Sequence, residues 1–397
     1  MSVHCSHARY VYNISLEQRN LWRPGHARLS GYDQKKQLTE ARGAYAWLRS
    51  GSSSVQQQAI LDLDRAFQNW WRNPKHFSRP TFHKAGVHEG FSIRDLTIKR
   101  LNRKWATVFV PKVGAVKVRL SRSWHECQIA TSARVTFKNG QWHVSLTTPP
   151  RPKISAETGA SIGIDRGVTH TLADSNGGFS QIPTLTPGEQ RRFLALERKL
   201  ARQTRDAKKT KRLFSECANR KKTLVSLSNL RERLNNRRKN WVEQTTTSLA
   251  RTYDVIAIED LRTSHMSRKP QPKPDTNKPG AFLPNNARAK AKLNRLILAS
   301  RWSEFATRLT HKTDGVITVD PRFTSQQCHA CGHTSLDNRE SQAVFICQKC
   351  GHHDNADTNA AKNILRRGLP EPEDIGGSPV SVAQAPQEPA HKGRVVA

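Results

Sequence analysis

The chain has 397 residues, 36% of them apolar, enough for two or three cored domains. Lys and Arg number 66 against 32 Asp and Glu, and the resulting net charge of +34 is spread along the chain rather than held in one tail, which points to a nucleic acid as partner ahead of an anionic membrane surface. No run of about 20 apolar residues could span a bilayer, no apolar segment near Met1 suggests a secretory signal, and seven unevenly spaced cysteines argue against a disulfide framework.

Residues 1–90 read as mainly helical. Over 55–71, the residues Val55, Ala59, Ile60, Leu63, Phe67, Trp70 and Trp71 recur at helical spacing, and Asn73-Pro74 ends the helix. Such a stripe reads as core before it reads as a base-stacking surface. Residues 91–152 change to strands, at 106–110, 115–120, 133–137 and 141–146. Lys138-Asn139-Gly140-Gln141 joins the last two, because Asn-Gly accepts the two positive φ angles of a tight hairpin turn. Several short strands in a basic context predict a small β-barrel, closed off by Pro149, Pro150 and Pro152.

Residues 160–182 predict a β-hairpin turning at Asn176-Gly177-Gly178. From 186 to 249 the chain is helical and very basic. Apolar residues at Leu213, Cys217, Leu224, Leu227, Leu234 and Trp241 have coiled-coil-like spacing, but Arg220, Arg231 and Arg238 interrupt it, so a helical hairpin with a charged face fits better. Lys208, Lys209, Lys211, Arg212, Lys221, Lys222, Arg237 and Arg238 are its candidate nucleic-acid-binding residues, since the acids of the segment are too few to pair them. Residues 255–258 form a fully apolar strand ending on Glu259. Pro270, Pro272, Pro274, Pro279 and Pro284 make 262–292 a loop, 293–310 reads as one helix, and 316–319 as another buried strand. Residues 368–397, rich in Pro, Glu, Gly and Ala, read as a disordered tail.

Two motifs carry chemistry. Cys328-His-Ala-Cys331 and Cys347-Gln-Lys-Cys350 are 15 residues apart, the spacing of a four-thiolate structural zinc site, and Gly332 and Gly351 follow the two knuckles. Four thiolates fill the coordination sphere, so His329, His333, His352 and His353 are not needed and are left to solvent or nucleic acid. The second motif is three acids. Asp165 ends the strand 162–164, Glu259 ends the strand 255–258, and Asp357 stands at the start of an amphipathic helix. A carboxylate at the end of an apolar strand costs free energy unless it is paired or binds a metal. Singly these acids could be exposed strand ends or, for Asp357, an N-cap; together they form the donor set that hard divalent ions take in phosphodiester hydrolysis.

The segments Gly163-Ile-Asp-Arg-Gly167, Ile258-Glu-Asp-Leu261, Thr324-Ser-Gln-x-Cys328-x-x-Cys-Gly332 and Cys347-x-x-Cys-Gly, followed by Ala356-Asp-x-Asn-Ala-Ala-x-Asn-Ile364, resemble the TnpB family of bacterial insertion sequences and its relatives, the miniature type V CRISPR effectors. The resemblance runs from about residue 9 to 365. It implies a bilobed α/β and α+β protein: a helical recognition region with the start of a wedge barrel (1–90), the β-barrel (91–152), an RNase H-like, RuvC-like nuclease domain (153–323) containing the basic hairpin 186–249, the zinc ribbon (324–352), a final RuvC-like segment (353–367) and the tail (368–397). It also implies Asp165, Glu259 and Asp357 as ligands of two Mg²⁺ ions, with Asp354 the competitor for the third place; one structural Zn²⁺; a guide RNA from the transposon end; target double-stranded DNA beside a short motif; and a cytoplasmic, nucleoid-associated bacterial enzyme. Only eight residues precede the matching Arg9, where the family usually has a basic strand and a helix start, so either the chain start is misassigned or the first wedge strand is absent. The rival readings are a DNA-joining transposase, a nuclease-dead RNA-guided repressor and a zinc-ribbon adaptor.

Overall fold

The computed structural model describes residues 1–26, 29–87, 89–276, 278 and 280–369; the expected tail lies outside them from residue 370. In chain order the helices and strands are α1 (Ser2–Asn20), α2 (Gly31–Ala44), α3 (Ala46–Ser50), α4 (Ser53–Arg72), β1 (Gly90–Ile93), β2 (Ile98–Arg100), β3 (Trp105–Val110), β4 (Gly114–Arg119), α5 (Trp124–Gln128), β5 (Ser132–Lys138) and β6 (Gln141–Thr147). Then come β7 (Ser161–Asp165), β8 (Leu172–Asp174), β9 (Phe179–Ser180), α6 (Pro187–Lys209), α7 (Ala218–Thr252), β10 (Val255–Glu259), α8 (Thr263–Met266), β11 (Lys273–Pro274), β12 (Phe282–Leu283), α9 (Ala287–Ser300), α10 (Trp302–Lys312), β13 (Val316–Val319), β14 (Val344–Ile346), β15 (His353–Asn355) and α11 (Ala356–Gly368). Two compact units emerge: Met1–Arg151 with Glu189–Arg231, and Pro152–Gly188 with the chain from Glu232 onward. No helix among the described residues is long and apolar enough to cross a membrane.

In the first unit, the tryptophan-rich stripe is core. Val55, Ala59, Ile60, Leu63 and Phe67 of α4 are buried against Val11, Tyr12 and Leu16 of α1, while Trp71 at its end is 64% exposed. Ser52 caps α4 by accepting from the Val55 amide. The same core takes Phe91 and Ile93 of β1, Val108 and Val110 of β3 and Val135 of β5. The expected barrel is corrected here: the strands make two separate antiparallel sheets, β1-β5-β6 and β2-β3-β4, with no closure among the described residues. The β5–β6 hairpin turns at Asn139 and Gly140, both at positive φ, as the Asn-Gly pair requires. The region expected as a helical hairpin is α6 and α7, and the coiled-coil-like spacing over 213–241 makes no continuous seam. Leu213 is 64% exposed and, with Cys217, lies in the turn between α6 and α7, and Leu224 is exposed too, leaving Leu227 among the buried ones.

The second unit is built on one five-stranded sheet in the order β13-β10-β7-β8-β9. β7 runs parallel to β10, and β10 parallel to β13; β8 and β9 add antiparallel on the other side, giving the expected hairpin at 160–182 a third strand. Ile162, Ile164, Ile256 and Ile258 pack with Val242 of α7 and Phe305 and Leu309 of α10. Central parallel strands are buried on both faces, hence the unbroken apolar runs. On α11 the sheet meets the buried Ile364 and Ala361, and two residues of the strands and helix have no room for a side chain: a Cβ on Gly163 would lie 2.1 Å from the Ala361 carbonyl oxygen, and one on Gly368 2.6 Å from the Ala257 Cβ. The single helix expected over 293–310 is two, broken at Arg301, whose backbone is left-handed (φ 55°). The expected loop 262–292 holds α8, the short β11–β12 pair and the first six residues of α9.

Candidate active site and metal centre

The sheet register sets two acids side by side. Ile164 of β7 pairs with Ile258 of β10, so the next residues, Asp165 and Glu259, end neighbouring parallel strands at their carboxyl edge. That edge of an open α/β sheet is where ligands bind. Asp357 enters the same place from the first turn of α11. Asn355 caps that helix, its side chain accepting from the Asp357 amide at 2.9 Å and the Thr358 amide at 3.2 Å. The N-cap role is thereby taken by Asn355, and the Asp357 carboxylate is buried and close enough to Asp165 to act on its charge.

The electrostatics record this convergence. Burial first, then the neighbouring carboxylates of Glu259 and Asp357, push Asp165 up from 3.8 to about 7. Burial also raises Glu259, opposed by the hydrogen bond from Thr324 Oγ1 to its Oε1 at 2.6 Å and by Arg166. Arg339 Nη2 lies 3.3 Å from Asp357 Oδ1. The buried Arg166 guanidinium donates to the Glu259 carbonyl and, at 3.3 Å, to the Trp302 carbonyl, which ties the ends of β7 and β10 to the start of α10. Asp354 is elsewhere engaged, with Lys362 Nζ 2.8 Å from its Oδ2. Asp165, buried and repelled by two neighbouring carboxylates, is a place where a divalent cation's charge would relieve the repulsion.

The cysteines form the second centre. Their four sulfurs all lie within 4.8 Å of one another. Cys328 and Cys350 are 3.8 Å apart and Cys331 and Cys347 3.5 Å, close to the edge of about 3.8 Å that a tetrahedron with Zn–S bonds of about 2.3 Å requires. Each knuckle closes alike: the Gly332 amide donates to Cys328 O and the Gly351 amide to Cys347 O, both at 2.9 Å and both at positive φ. The four-cysteine cluster could therefore hold zinc. Polar residues that sequence reading passed over bind this ribbon to α11. Asn359 Oδ1 accepts from the His329 amide at 3.0 Å, and Asn363 Nδ2 donates to the carbonyls of Thr324 (2.9 Å) and Gln327 (2.6 Å). Both side chains are fully buried; their i, i+4 spacing in Asp-x-Asn-Ala-Ala-x-Asn was the available signal. Thr324 and Arg339 were missed because their role depends on a partner distant in sequence.

Of the basic residues, Lys208, Lys209, Lys211, Arg212, Lys221 and Lys222 are exposed. Arg237 and Arg238 are half-buried and turn to the chain itself, Arg238 Nε donating to Pro183 O at 3.0 Å and Arg237 Nη2 to Thr184 O at 3.5 Å.

These features define a mixed α/β protein in which one helix, α11, carries the buried Asp357 and binds the four-cysteine ribbon through Asn359 and Asn363. Residues 302–364 match the family model "Cas12f1-like, TNB domain", and residues 143–269 match the model "Probable transposase". A relative in Escherichia coli K12, named "Putative RNA-guided DNA endonuclease InsQ", is 31% identical over 372 residues, spanning 91% of this chain and 86% of its own. A relative of like description in Streptomyces pristinaespiralis is 27% identical over 91% of this chain and 83% of its own. The solved complex of Cas12f1 with single-guide RNA and target DNA aligns over 92% of this chain and 81% of that one, at 14% identity and a TM-score of 0.48. The chain belongs to the TnpB family, as its motifs indicated.

Proposed function

We propose that the protein is an RNA-guided, divalent-metal-dependent DNA endonuclease of a transposable element, which cuts DNA complementary to its guide next to a short DNA motif. The observation that carries the reading is that Asp165 and Glu259 end neighbouring parallel strands, with Asp165 pushed up to about 7 by burial and by the carboxylates of Glu259 and Asp357. Family membership, with relatives named as RNA-guided DNA endonucleases, supports the same activity. The mixed five-stranded sheet supports an RNase H-like, RuvC-like reading of the second unit.

In this reading Asp165, Glu259 and Asp357 hold magnesium, and the four cysteines hold zinc. Bound there, two divalent ions would supply an activated water and charge neutralisation of the leaving oxygen. The chain's own residues prepare the place. Thr324 fixes one Glu259 oxygen by donating to it, Arg339 holds Asp357 from outside, and Arg166 locks the strand ends that carry Asp165 and Glu259. Sequence selection is left to base pairing with the guide, while the protein grips phosphates and duplex shape.

The test is cleavage by the chain purified with its co-purifying RNA on a matched duplex. Asp165→Ala, Glu259→Ala and Asp357→Ala should each abolish Mg²⁺-dependent cutting and leave guide-dependent DNA binding nearly intact. Asp354→Ala should still cut. Strand joining of transposon ends in place of free cut ends would favour a DNA-joining transposase, and cutting by Asp357→Ala would remove that acid from the site.

A further inference from the structure

Beside the four-cysteine cluster lies a second group of metal-binding side chains that the nuclease reading does not use. His329, inside the first knuckle, and His352, just past the second, stack with ring centroids 5.0 Å apart and an angle of 18° between planes. Asp354 of β15 completes the group: one nitrogen from each ring and one carboxylate oxygen all lie within 4.8 Å of one another. His329 Nδ1 and His352 Nε2 are both buried and have no hydrogen-bond partner among the described residues, and His352 Nε2 stands 3.8 Å from Asp354 Oδ2. A buried imidazole nitrogen without a partner is a cost that native structures seldom leave standing. Two such histidines grouped with one carboxylate are a ligand set. The sequence reading left these histidines to solvent or nucleic acid; the fold instead buries a ring nitrogen of each.

We propose that His329, His352 and Asp354 form a second metal site, for a borderline transition ion of the Zn²⁺ class. Imidazole and carboxylate donors suit such ions, and three protein ligands leave one position open, in contrast to the closed four-thiolate site next to it. In a tetrahedral site with bonds of about 2.1 Å the ligand atoms stand about 3.4 Å apart, so the present spread closes with small side-chain rotations. The competitor is Lys362, whose ammonium sits 2.8 Å from Asp354 Oδ2 and must withdraw before a cation can bind there. This makes the site weaker than the cysteine site and gives it a signature: removing the Lys362 charge must tighten it. The ion would clamp the two knuckles to each other and to the strand that leads into α11. The proposal stands whether or not the carboxylates upstream cut DNA.

Zinc content of the full-length chain, by elemental analysis and by titration with Zn²⁺ alone, decides the matter. Two zinc ions per chain are expected in the wild type at micromolar free Zn²⁺. His329→Ala and His352→Ala should each lose the second ion and keep the first, which also shows that the ribbon is still folded. His353→Ala should keep both. Lys362→Met should bind the second ion more tightly, by about tenfold, because a like charge has been removed from its ligand. One zinc in the wild type, with no further uptake, overturns the site. A second zinc that survives both histidine substitutions but disappears in Asp165→Asn belongs to the strand carboxylates and overturns it equally.

Discussion

Asp165 shows how a single residue can be costly to the fold and useful to the site. Its carboxyl is buried at a strand end and faces two other carboxylates, so it holds a proton up to about pH 7 where an ordinary aspartate releases it near 3.8. An acid whose folded-state pKa is raised binds its proton more tightly in the folded chain. Its stabilising contribution is full below about pH 4 and is lost as pH rises towards 7. Glu259, raised by burial, acts in the same direction. A divalent ion must displace that proton, so Mg²⁺ affinity should climb through the approach to pH 7 and level off above it. Thermal unfolding of the chain with and without Mg²⁺ measures this: the stabilisation by Mg²⁺ should grow between about pH 6 and about pH 8 in the wild type and be small and flat in Asp165→Asn. An equal Mg²⁺ effect at every pH would show that Asp165 does not hold the ion. These acids were legible in the sequence because a charge at the end of an apolar strand is conspicuous. Arg339 and Thr324 were not, since nothing local distinguishes a cation or hydroxyl that closes on an acid 18 or 65 residues away.

At the scale of elements, the site depends on how closely α11 lies on the sheet. Gly163 makes that approach possible, because a side chain there would run into the Ala361 carbonyl at 2.1 Å and the Leu365 amide nitrogen at 2.7 Å. Both are backbone atoms of one helix and cannot swing aside. Gly163→Ala must therefore push α11 outward and carry Asp357 with it, at about 1–3 kcal/mol of overpacking. Cleavage should fall much further than guide-dependent binding, and unfolding should come several degrees earlier. Gly43→Ala, at a helical position where a Cβ meets nothing, should leave both unchanged or raise stability slightly. Wild-type cutting by Gly163→Ala would show that the helix position is not critical. Elements with a strong period were readable in advance: α4, the β5–β6 hairpin, β7, β10 and the knuckles. What failed was closure and continuity. Alternating strands announce a half-buried surface but not which strand joins which, so two open sheets read as a barrel. The break at Arg301 has no Gly or Pro to mark it; it rests on a left-handed arginine inside an otherwise helical pattern.

The whole molecule is dominated by its charge, and +34 on 397 residues repels itself at low salt, a strain that a polyanion sharing the surface relieves. Composition made that partner evident, and it could not say which face meets it. The exposed cations at the end of α6 and the start of α7 are the test case. Lys208, Lys209 and Lys211 are exposed, whereas Arg237 and Arg238 further along are engaged with the chain's own carbonyls. If the first three track the phosphates of the guide–target duplex, each contributes about 0.7–0.9 to the slope of log K against log salt. Replacing Lys208, Lys209 and Lys211 together by Gln should then reduce that slope by about two to three and weaken binding to every guide alike. Binding titrations over a range of salt with two unrelated guide–target pairs measure both effects. A change in which targets are preferred would mean that the segment reads bases. An unchanged slope would mean that these lysines face solvent only, and that the phosphate track runs over another face of the protein.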